Sequence, residues 1–471
     1  MHLIDYIIFI LYFLLVLAVG IYFYFKNSSK EDYYVGGRNM SPYHIGMSIV
    51  ATDVGGGFSI GLGGLGYLMG ISGSWLLFTG LVGAWLTAIF IVPKIKKIDK
   101  KLGMLTYPDF LRNTYGDNVA MVAAIISGIG YMGFTGGQIL AGAKLAAGSV
   151  FSELTFMNPL TFSLFIMASV VLAYTVLGGL KAVIYTDTIQ WIVLLAGLAL
   201  FGVPFALIKV GGFAQLKASL PAEFFSLGNI SIKQFANWFF TIVPIWFIAM
   251  TLYQRIYATK NVRDARKAFY IAGFLEYPIM AFLGVLLGMI SRVFFPNVEA
   301  EMGLPMLLRD VLPIGVTGII ISAYFSAIMS TADSCLIASS GNFVNDIIER
   351  YFMKNVSEKR IMRVSQIVTL VIGVITLVIA SRFETVLEII LHTYSFMVAG
   401  LLIPTLFAFF GKNHNPTAAL VSMLSGGIFT LILIFIRIEI ISDVDASIFG
   451  IIVSLLTFVL VTAINNRKAH G

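Results

Sequence analysis

Residues 49–64, IVATDVGGGFSIGLGG, decide the fold, because Asp53 precedes three consecutive glycines there, Gly55 to Gly57. The stretch lies inside an apolar run long enough to cross a bilayer. Each glycine weakens a helix by about 1 kcal/mol relative to alanine, so the run favours an opening of the helix within the membrane. Unwound backbone at that depth is tolerated only where it lines a cavity or is buried in protein. A broken helix beside a carboxylate therefore indicates the binding site of a membrane carrier.

The composition of the chain is that of a membrane protein. It has 471 residues, of which 58% are hydrophobic and only 12% charged, whereas soluble proteins carry roughly 25% charged residues. The excess of 31 lysines and arginines over 24 aspartates and glutamates lies in short loops, which fits anionic lipid and excludes a nucleic-acid surface. The single cysteine, Cys335, excludes an internal disulfide. We therefore expect an all-α polytopic protein of the plasma membrane.

Apolar runs of bilayer length predict about 13 transmembrane helices, numbered as spans in chain order. Alternate loops collect basic residues, as at 94–101 and 255–267, so the positive-inside rule places the N-terminus outside and the C-terminus in the cytoplasm. An odd number of spans agrees with this orientation. The predicted spans are residues 4–25, 43–70, 74–93, 118–147, 160–177, 184–208, 235–254, 268–292, 312–343, 364–381, 384–410, 415–437 and 447–465.

Two of these spans carry helix breakers at matched places. Span 2 is interrupted by its three glycines, and span 7 by Pro244, which removes a backbone hydrogen bond. The two spans are five apart, and an odd offset gives the two halves opposite orientations, as an inverted repeat requires. We divide the chain into an extra span with a cytoplasmic loop, two inverted repeats of five spans and two C-terminal spans: residues 1–42, 43–208, 209–410 and 411–471.

One face of predicted span 9 carries small and hydroxyl side chains at helical spacing: Ala327, Ser330, Thr331 and Ser334. Oxygen ligands suit hard cations, a rule that we extend here from Ca²⁺ and Mg²⁺ to Na⁺. Backbone carbonyls freed at the span 2 break, near Ala51 and Val54, would complete a shell of neutral oxygens that releases the ion readily. The alternative is that these hydroxyls bond to their own helix or join neighbouring spans.

Carboxylates at membrane depth are costly and usually functional. Asp187 falls in the first turn of predicted span 6, where it either faces the helix dipole or serves as a second cation ligand. Asp53 either balances a cationic solute group, holds or gates the coupling ion, or pairs structurally with Lys144. Phe58 and Trp246 offer cation–π or stacking contacts, although aromatic residues in apolar spans are more often packing. The remaining candidates are expected to be structural or near span ends: Glu276, Glu388 and His392.

These motifs resemble the sodium/solute symporter family, which includes proline, pantothenate, glucose, sialate, iodide and choline carriers. The resemblance covers roughly residues 30–410, and its most specific parts are ATDVGG at 51–56, GG at 178–179, TDT at 186–188 and AIMST at 327–331. It implies a LeuT-type fold with 13 spans, an external N-terminus and a five-plus-five inverted-repeat core. By position it implies a sodium site formed by Ala51, Val54, Ala327, Ser330 and Thr331. It also implies a second cation or coupling position, formed by Asp187 and Ser334.

The resemblance is less specific about the solute. Asp53 is similar to an aspartate required in proline carriers, but Gly57 stands where those carriers have tryptophan. The glycine run and residues 253–255 are similar to choline carriers, in which Asp53 would replace an aromatic residue of the cation cage. Phe58 occupies the position of a polar sugar contact, which disfavours a sugar. The residues expected to contact the solute are Asp53, Gly55, Gly56, Phe58 and Trp246.

The leading hypothesis is a Na⁺-coupled symporter that imports a small polar solute by alternating access, either an amino acid such as proline or a choline-like or amine-like compound. Its expected partners are the solute, Na⁺ and the bilayer, with no nucleic acid, no cofactor besides the coupling ion, and a monomer as the functional unit. A proton-coupled carrier or channel using Asp53 and Asp187 is the alternative. An enzyme is not expected, because no HExxH, GxSxG or paired-cysteine motif is present. A sensory receptor lacks support, because no signalling domain is visible in the sequence.

Overall fold

The computed structural model describes residues 1–26, 34–353, 356–412, 414–438 and 440–470. Residues 27–33, which belong to the predicted first cytoplasmic loop, lie outside the described residues. Within the described ranges the chain is helical and contains no β-strand, which confirms the all-α prediction. The α-helices are α1 Leu3–Lys26, α2 Pro42–Asp53, α3 Gly55–Met69, α4 Trp75–Leu86, α5 Val92–Leu102, α6 Tyr107–Tyr115, α7 Asp117–Gly148, α8 Pro159–Gly197, α9 Val203–Val210, α10 Gly212–Ser219, α11 Ile232–Ile248, α12 Met250–Ala258, α13 Val262–Phe274, α14 Ala281–Phe294, α15 Ala300–Val311, α16 Val316–Phe343, α17 Glu358–Ala380, α18 Val386–Phe410, α19 Pro416–Ile436 and α20 Ala446–His470.

Wider π-helical turns join or extend several of these helices. Thr87–Ile91 connects α4 to α5, Leu198–Gly202 connects α8 to α9, and Leu275–Met280 connects α13 to α14. Val344–Phe352 extends α16 in the same way. Such turns displace side chains from the regular helical register and occur often at functional sites. The turn between α13 and α14 is the one that bears on the site described below.

The outer helices present an apolar surface. Large hydrophobic side chains on α17, α19 and α20 are half or more exposed, and Phe435 reaches 80%. A soluble protein seldom exposes so many together, whereas lipid tails solvate them without cost. This surface is the lipid-facing side of a multi-pass membrane protein. Representative residues are Ile367, Val371, Ile428, Phe435 and Leu456.

The interior is organised around α16, which is buried along nearly its whole length. It packs against α7, α8 and α1, and both α16 and α7 are rich in glycine, alanine and serine. Small residues let membrane helices approach closely, so packing replaces the hydrophobic effect as the force that holds them together. The hydroxyl groups of predicted span 9 are therefore held in the middle of the protein, beside the helix break of predicted span 2.

The number of spans stays a prediction. In the described part of the chain nine helical segments are long and apolar enough to cross a membrane, or ten if the bent pair α11 and α12 is one span. Residues 55–102 form one helical stretch that covers most of predicted spans 2 and 3. The helix α8 similarly covers span 5 and the start of span 6. No proline lies between those two predicted spans, so nothing in the sequence stops the helical hydrogen bonds there.

Candidate ion and solute site

The predicted break in span 2 is present and is narrow. Gly55 has φ +49°, in the left-handed region that favours glycine, and it separates α2 from α3. The helical bonds resume at once, since the Phe58 N–H donates to the Val54 carbonyl at 3.1 Å. The Val54 carbonyl was expected to be freed at the break, but it accepts this helical hydrogen bond. The Ala51 carbonyl, in the last turn of α2, accepts a hydrogen bond from the Thr331 hydroxyl at 2.7 Å.

Side chains from other helices close the break. The Gly57 N–H donates to the Oε1 atom of Gln138 on α7 at 2.9 Å, so an amide freed at the start of α3 has a partner. A Cβ at Gly55 would collide with Thr331, and one at Gly56 would overlap Ile328. The glycines are therefore needed for close approach to α16 as well as for the backbone bend.

Three of the five predicted sodium-site residues come together. The Thr331 hydroxyl lies 2.7 Å from the Ala51 carbonyl and 3.0 Å from the Ala327 carbonyl, so three neutral oxygens meet between α2 and α16. The Ser330 hydroxyl is adjacent but donates to the Oδ1 atom of Asp187. The arrangement supplies oxygen ligands of the kind a hard monovalent cation prefers.

Asp187 is buried in the interior of α8, so its placement in the first turn of a helix was wrong. The reason is that α8 continues through the predicted boundary between spans 5 and 6. Besides the bond from Ser330, its Oδ2 atom accepts a hydrogen bond from Ser48 at 2.5 Å and lies 3.7 Å from the Nη2 atom of Arg255. Charge-assisted bonds of this kind are what makes a buried carboxylate tolerable.

Arg255 is a residue of this network that the sequence analysis missed. It is completely buried, and its Nη2 atom donates to Thr52 at 2.6 Å and to Ser334 at 3.0 Å. The two residues predicted for a second cation position, Asp187 and Ser334, are thus brought together with a guanidinium between them. Ser48 and Thr52 were also missed, although their spacing of four residues on α2 places them on one helix face beside the break.

The second broken helix is present, but its break was predicted at the wrong residue. Pro244 lies within α11, and the chain leaves the helical region at Ala249, with a bend of 43° between α11 and α12. The fixed φ of proline fits a helix, so Pro244 removes a hydrogen bond without ending the helix. The helix ends instead at Ala249, where side chains form hydrogen bonds with backbone groups next to the break. One of these bonds runs from the Thr87 hydroxyl to the Trp246 carbonyl at 3.1 Å. Two further bonds are Tyr253 hydroxyl to Phe247 carbonyl, 2.8 Å, and Thr251 N–H to Tyr131 hydroxyl, 3.1 Å.

A third break was not predicted. Within the turn between α13 and α14, Tyr277 has extended dihedrals, φ −137° and ψ 123°, and Pro278 follows it. The preceding residue, Glu276, is completely buried, and both of its carboxylate oxygens lack a hydrogen-bond partner. The expectation that Glu276 is structural or near a span end stays a prediction. The sequence signal was the Tyr-Pro pair, because a residue before proline is driven out of the helical region.

Two of the five predicted solute residues, Asp53 and Trp246, lie beside α4. Asp53 and Glu276 both approach Gly80, and Trp246 packs over Gly83, one helical turn further along α4. The alternative pairing of Asp53 with Lys144 is wrong, because Lys144 pairs with Glu299 at 2.5 Å and Glu301 at 2.7 Å. Phe58 lies on another side of the break, with its ring centroid 6.1 Å from that of Tyr394. In contrast to this interior site, Glu388 and His392 are half-exposed and pair with each other at 3.7 Å.

The sequence is similar to a known family of membrane proteins. A model of the sodium:solute symporter family matches residues 33–426. The chain is similar to the high-affinity proline transporter PutP of Bacillus subtilis strain 168, with 27% identity over 87% of this chain and 88% of that protein. It is also similar to the osmoregulated proline transporter OpuE of the same organism, with 25% identity over 98% and 95%. The sodium/glucose cotransporter 1 of Ovis aries is 26% identical over 90% of this chain and 70% of that protein.

The fold has a counterpart among solved structures. A Na⁺-coupled sialic acid symporter in a substrate-bound outward-open state superposes with a TM-score of 0.80 at 20% identity, covering 98% of both chains. This likeness confirms the LeuT-type architecture that the sequence resemblance implied. The family match covers most of the sequence and includes the helix break, the buried aspartates and the hydroxyl face of α16. The chain belongs to the sodium:solute symporter family.

Proposed function

We propose that this protein is a Na⁺-coupled secondary active symporter that imports a small polar organic solute, an amino acid such as proline or an amine-like compound. The observation that carries the proposal is the meeting of three neutral oxygens at the Gly55 break, from Ala51, Ala327 and Thr331. Neutral oxygens bind a monovalent ion weakly enough for release in each cycle, and the ion joins a broken helix to the central helix α16. The two proline transporters among its relatives agree with a small zwitterionic or cationic solute.

The hydroxyl groups are suited to exchange between protein partners and an ion. The Ser330 O–H donates to Asp187, which leaves the oxygen lone pairs of Ser330 free to face Na⁺. The Thr331 hydroxyl now donates to a carbonyl oxygen and would turn its proton away when the ion arrives. Val54 is the fifth residue of the proposed set, and its carbonyl has a second lone pair beyond the one used by Phe58. Asp187 and Ser334 complete the proposed coupling network through Arg255.

The ion gradient supplies the driving force for alternating access. Each Na⁺ that enters the cell gains about 2.3 kcal/mol per 100 mV of membrane potential. That energy concentrates a neutral solute roughly fiftyfold per ion before the Na⁺ gradient itself is counted. In the proposed cycle Na⁺ binds from outside between α2 and α16, the solute binds at the helix breaks, and rocking of one bundle against the other exposes both to the cytoplasm. The lysines of α5 mark the cytoplasmic side, which puts the N-terminus outside. The proposal includes the plasma membrane as the location and the monomer as the functional unit.

Solute uptake into proteoliposomes tests this function. Proline, ethanolamine and choline uptake is measured with an inward Na⁺ gradient and with K⁺ in its place, for the wild type and for the double variant Ser330→Ala, Thr331→Ala. Ser322→Ala is the matched control, because Ser322 is a buried hydroxyl of the same helix that bonds only within it, to Gly318 at 2.6 Å. Uptake that needs Na⁺ in the wild type and the control, and is lost in the double variant, supports the proposal. Uptake that is indifferent to Na⁺ in all three proteins would refute it.

The same vesicles separate Na⁺ coupling from the proton-coupled alternative. That alternative uses Asp53 and Asp187 as proton carriers, and it requires uptake at fixed Na⁺ to follow an imposed pH gradient. Asp187 accepts hydrogen bonds from Ser48 and Ser330, and its Oδ2 atom lies 3.7 Å from the Nη2 atom of Arg255. Uptake that follows the Na⁺ gradient at constant pH supports Na⁺ coupling, and uptake that follows the pH gradient at fixed Na⁺ supports the proton-coupled alternative.

A further inference from the structure

Glu276 is a buried carboxylate with no role in the sodium set. It is completely buried at the break between α13 and α14, and neither oxygen has a hydrogen-bond partner. An unpaired carboxylate in an apolar interior is costly, so it persists only where something compensates it or where function requires it. In the described part of the chain no lysine or arginine forms an ion pair with it.

A second carboxylate, that of Asp53, lies beside Glu276. The Oδ2 atom of Asp53 lies 3.9 Å from the position that a Cβ would take on Gly80, and the Glu276 Oε2 atom contacts that same position. Gly80 is thus the gap in α4 into which both carboxylates point. The two residues come from different broken helices, and each directly borders its break.

Two neighbouring buried carboxyl groups without a basic partner either share a proton or hold a cation between them. Asp53 is itself 9% exposed, and no ion pair joins it to a basic side chain among the described residues. An aromatic ring lies nearby, because Trp246 packs over Gly83, one helical turn along α4 from Gly80. Two acids beside an aromatic ring suit the binding of an organic cation.

We propose that Asp53 and Glu276 together bind the ammonium group of the solute, one N–H donor to each carboxylate. This inference rests on the proposed symport function and narrows its solute to primary or secondary amines, including amino acids with such a group. A quaternary ammonium such as choline has no N–H to offer either acid. Glu276 is therefore a residue that determines solute specificity, and Gly80 provides the space in which the two acids meet.

Ligand-induced thermal stabilisation of the purified protein in Na⁺ tests the proposal with two matched pairs. Ethanolamine is compared with choline, and proline with N,N-dimethylproline, so that the members of each pair differ in the N–H donors that methylation removes. In at least one pair, the compound with N–H groups is expected to raise the unfolding temperature of the wild type. Its methylated counterpart is expected to require an at least tenfold higher concentration for the same rise. In Glu276→Gln the amine concentration that gives half-maximal stabilisation is expected to rise about 10- to 100-fold. The Na⁺ concentration that gives half-maximal stabilisation is expected to stay the same.

Glu388→Gln is the control for the same chemical change, because Glu388 is a half-exposed acid that lies beside His392 and takes no part in the proposed pair. The unfolding temperature without ligand shows that each variant is folded. Equal binding of the methylated compounds, unchanged amine binding in Glu276→Gln, a change in Na⁺ affinity alone, or stabilisation by none of the four compounds would each overturn the inference. If Na⁺ stabilises the protein and none of the amines does, the solute class is wrong while Na⁺ coupling stands. If Na⁺ itself has no effect, the proposed function fails.

Discussion

The substitution Gly55→Ala tests how the helix break builds the ion site. Gly55 adopts φ +49°, and a Cβ there would collide with the hydroxyl of Thr331. That hydroxyl is the group that contacts the Ala51 carbonyl at 2.7 Å. The added methyl group must therefore displace α3 or turn Thr331 away, and either movement separates two of the proposed Na⁺ ligands.

Two effects set the loss of folding free energy in Gly55→Ala. A non-glycine residue in the left-handed region costs roughly 1–2 kcal/mol. Losing the Thr331 to Ala51 hydrogen bond, with the carbonyl left buried, costs about 1–3 kcal/mol more. We expect the folded protein to lose about 2–5 kcal/mol in total. Because one oxygen ligand is misplaced, the Na⁺ concentration for half-maximal stabilisation is expected to rise by roughly tenfold or more, as for the loss of a single polar contact.

The assay is thermal unfolding of the purified protein over a series of Na⁺ concentrations at constant ionic strength. Gly427→Ala on α19 is the matched control, because φ there is not positive and the nearest atom to an added Cβ is 3.4 Å away, an ordinary contact. The control is expected to keep the Na⁺ response of the wild type. A Gly55→Ala protein with wild-type stability and wild-type Na⁺ response would refute the link between this break and the ion.

Three further substitutions test the supports of the site. Thr87→Val removes the donor to the Trp246 carbonyl and is expected to destabilise the fold by about 1–3 kcal/mol and slow uptake; an unchanged unfolding temperature would contradict the role of Thr87. Lys144→Met leaves Glu301 buried without its cation and is expected to cost about 3–5 kcal/mol in unfolding measurements, with Na⁺ affinity retained in any folded fraction. Arg255→Lys keeps the charge but loses the forked donors, so uptake is expected to fall at least tenfold; normal Na⁺-driven uptake would show that the forked geometry is unimportant.

Local chemistry made part of the site predictable. The break at Gly55 follows from the conformational preference of glycine, and the hydroxyl face of α16 follows from helical periodicity. Both the glycine run and the hydroxyl spacing are local sequence patterns, so no knowledge of distant contacts is needed to interpret them. The contact between Ala51 and Thr331 could be expected because the break was predicted to free backbone carbonyls and the hydroxyl face of α16 offers donors to them.

The features that sequence analysis missed depend on contacts between distant segments. The break after α11 falls at Ala249, where Thr87 and Tyr131 supply hydrogen-bond partners from other helices, whereas Pro244 alone marks only a lost bond. Arg255 reads as a loop residue by its position after an apolar run, but the bend at Ala249 turns α12 inward and buries it. The apposition of two carboxylates at Gly80 likewise depends on the packing of three helices.

Na⁺ is expected to bind at the oxygens between the Gly55 break and α16. Equilibrium binding of radioactive ²²Na⁺ to the purified protein, without added solute, tests it most directly in the wild type, in Thr331→Ala and in Ser322→Ala. We expect saturable binding in the wild type and in Ser322→Ala, and at least tenfold weaker binding in Thr331→Ala. Binding of equal affinity in all three proteins, or no saturable binding in the wild type, would contradict it.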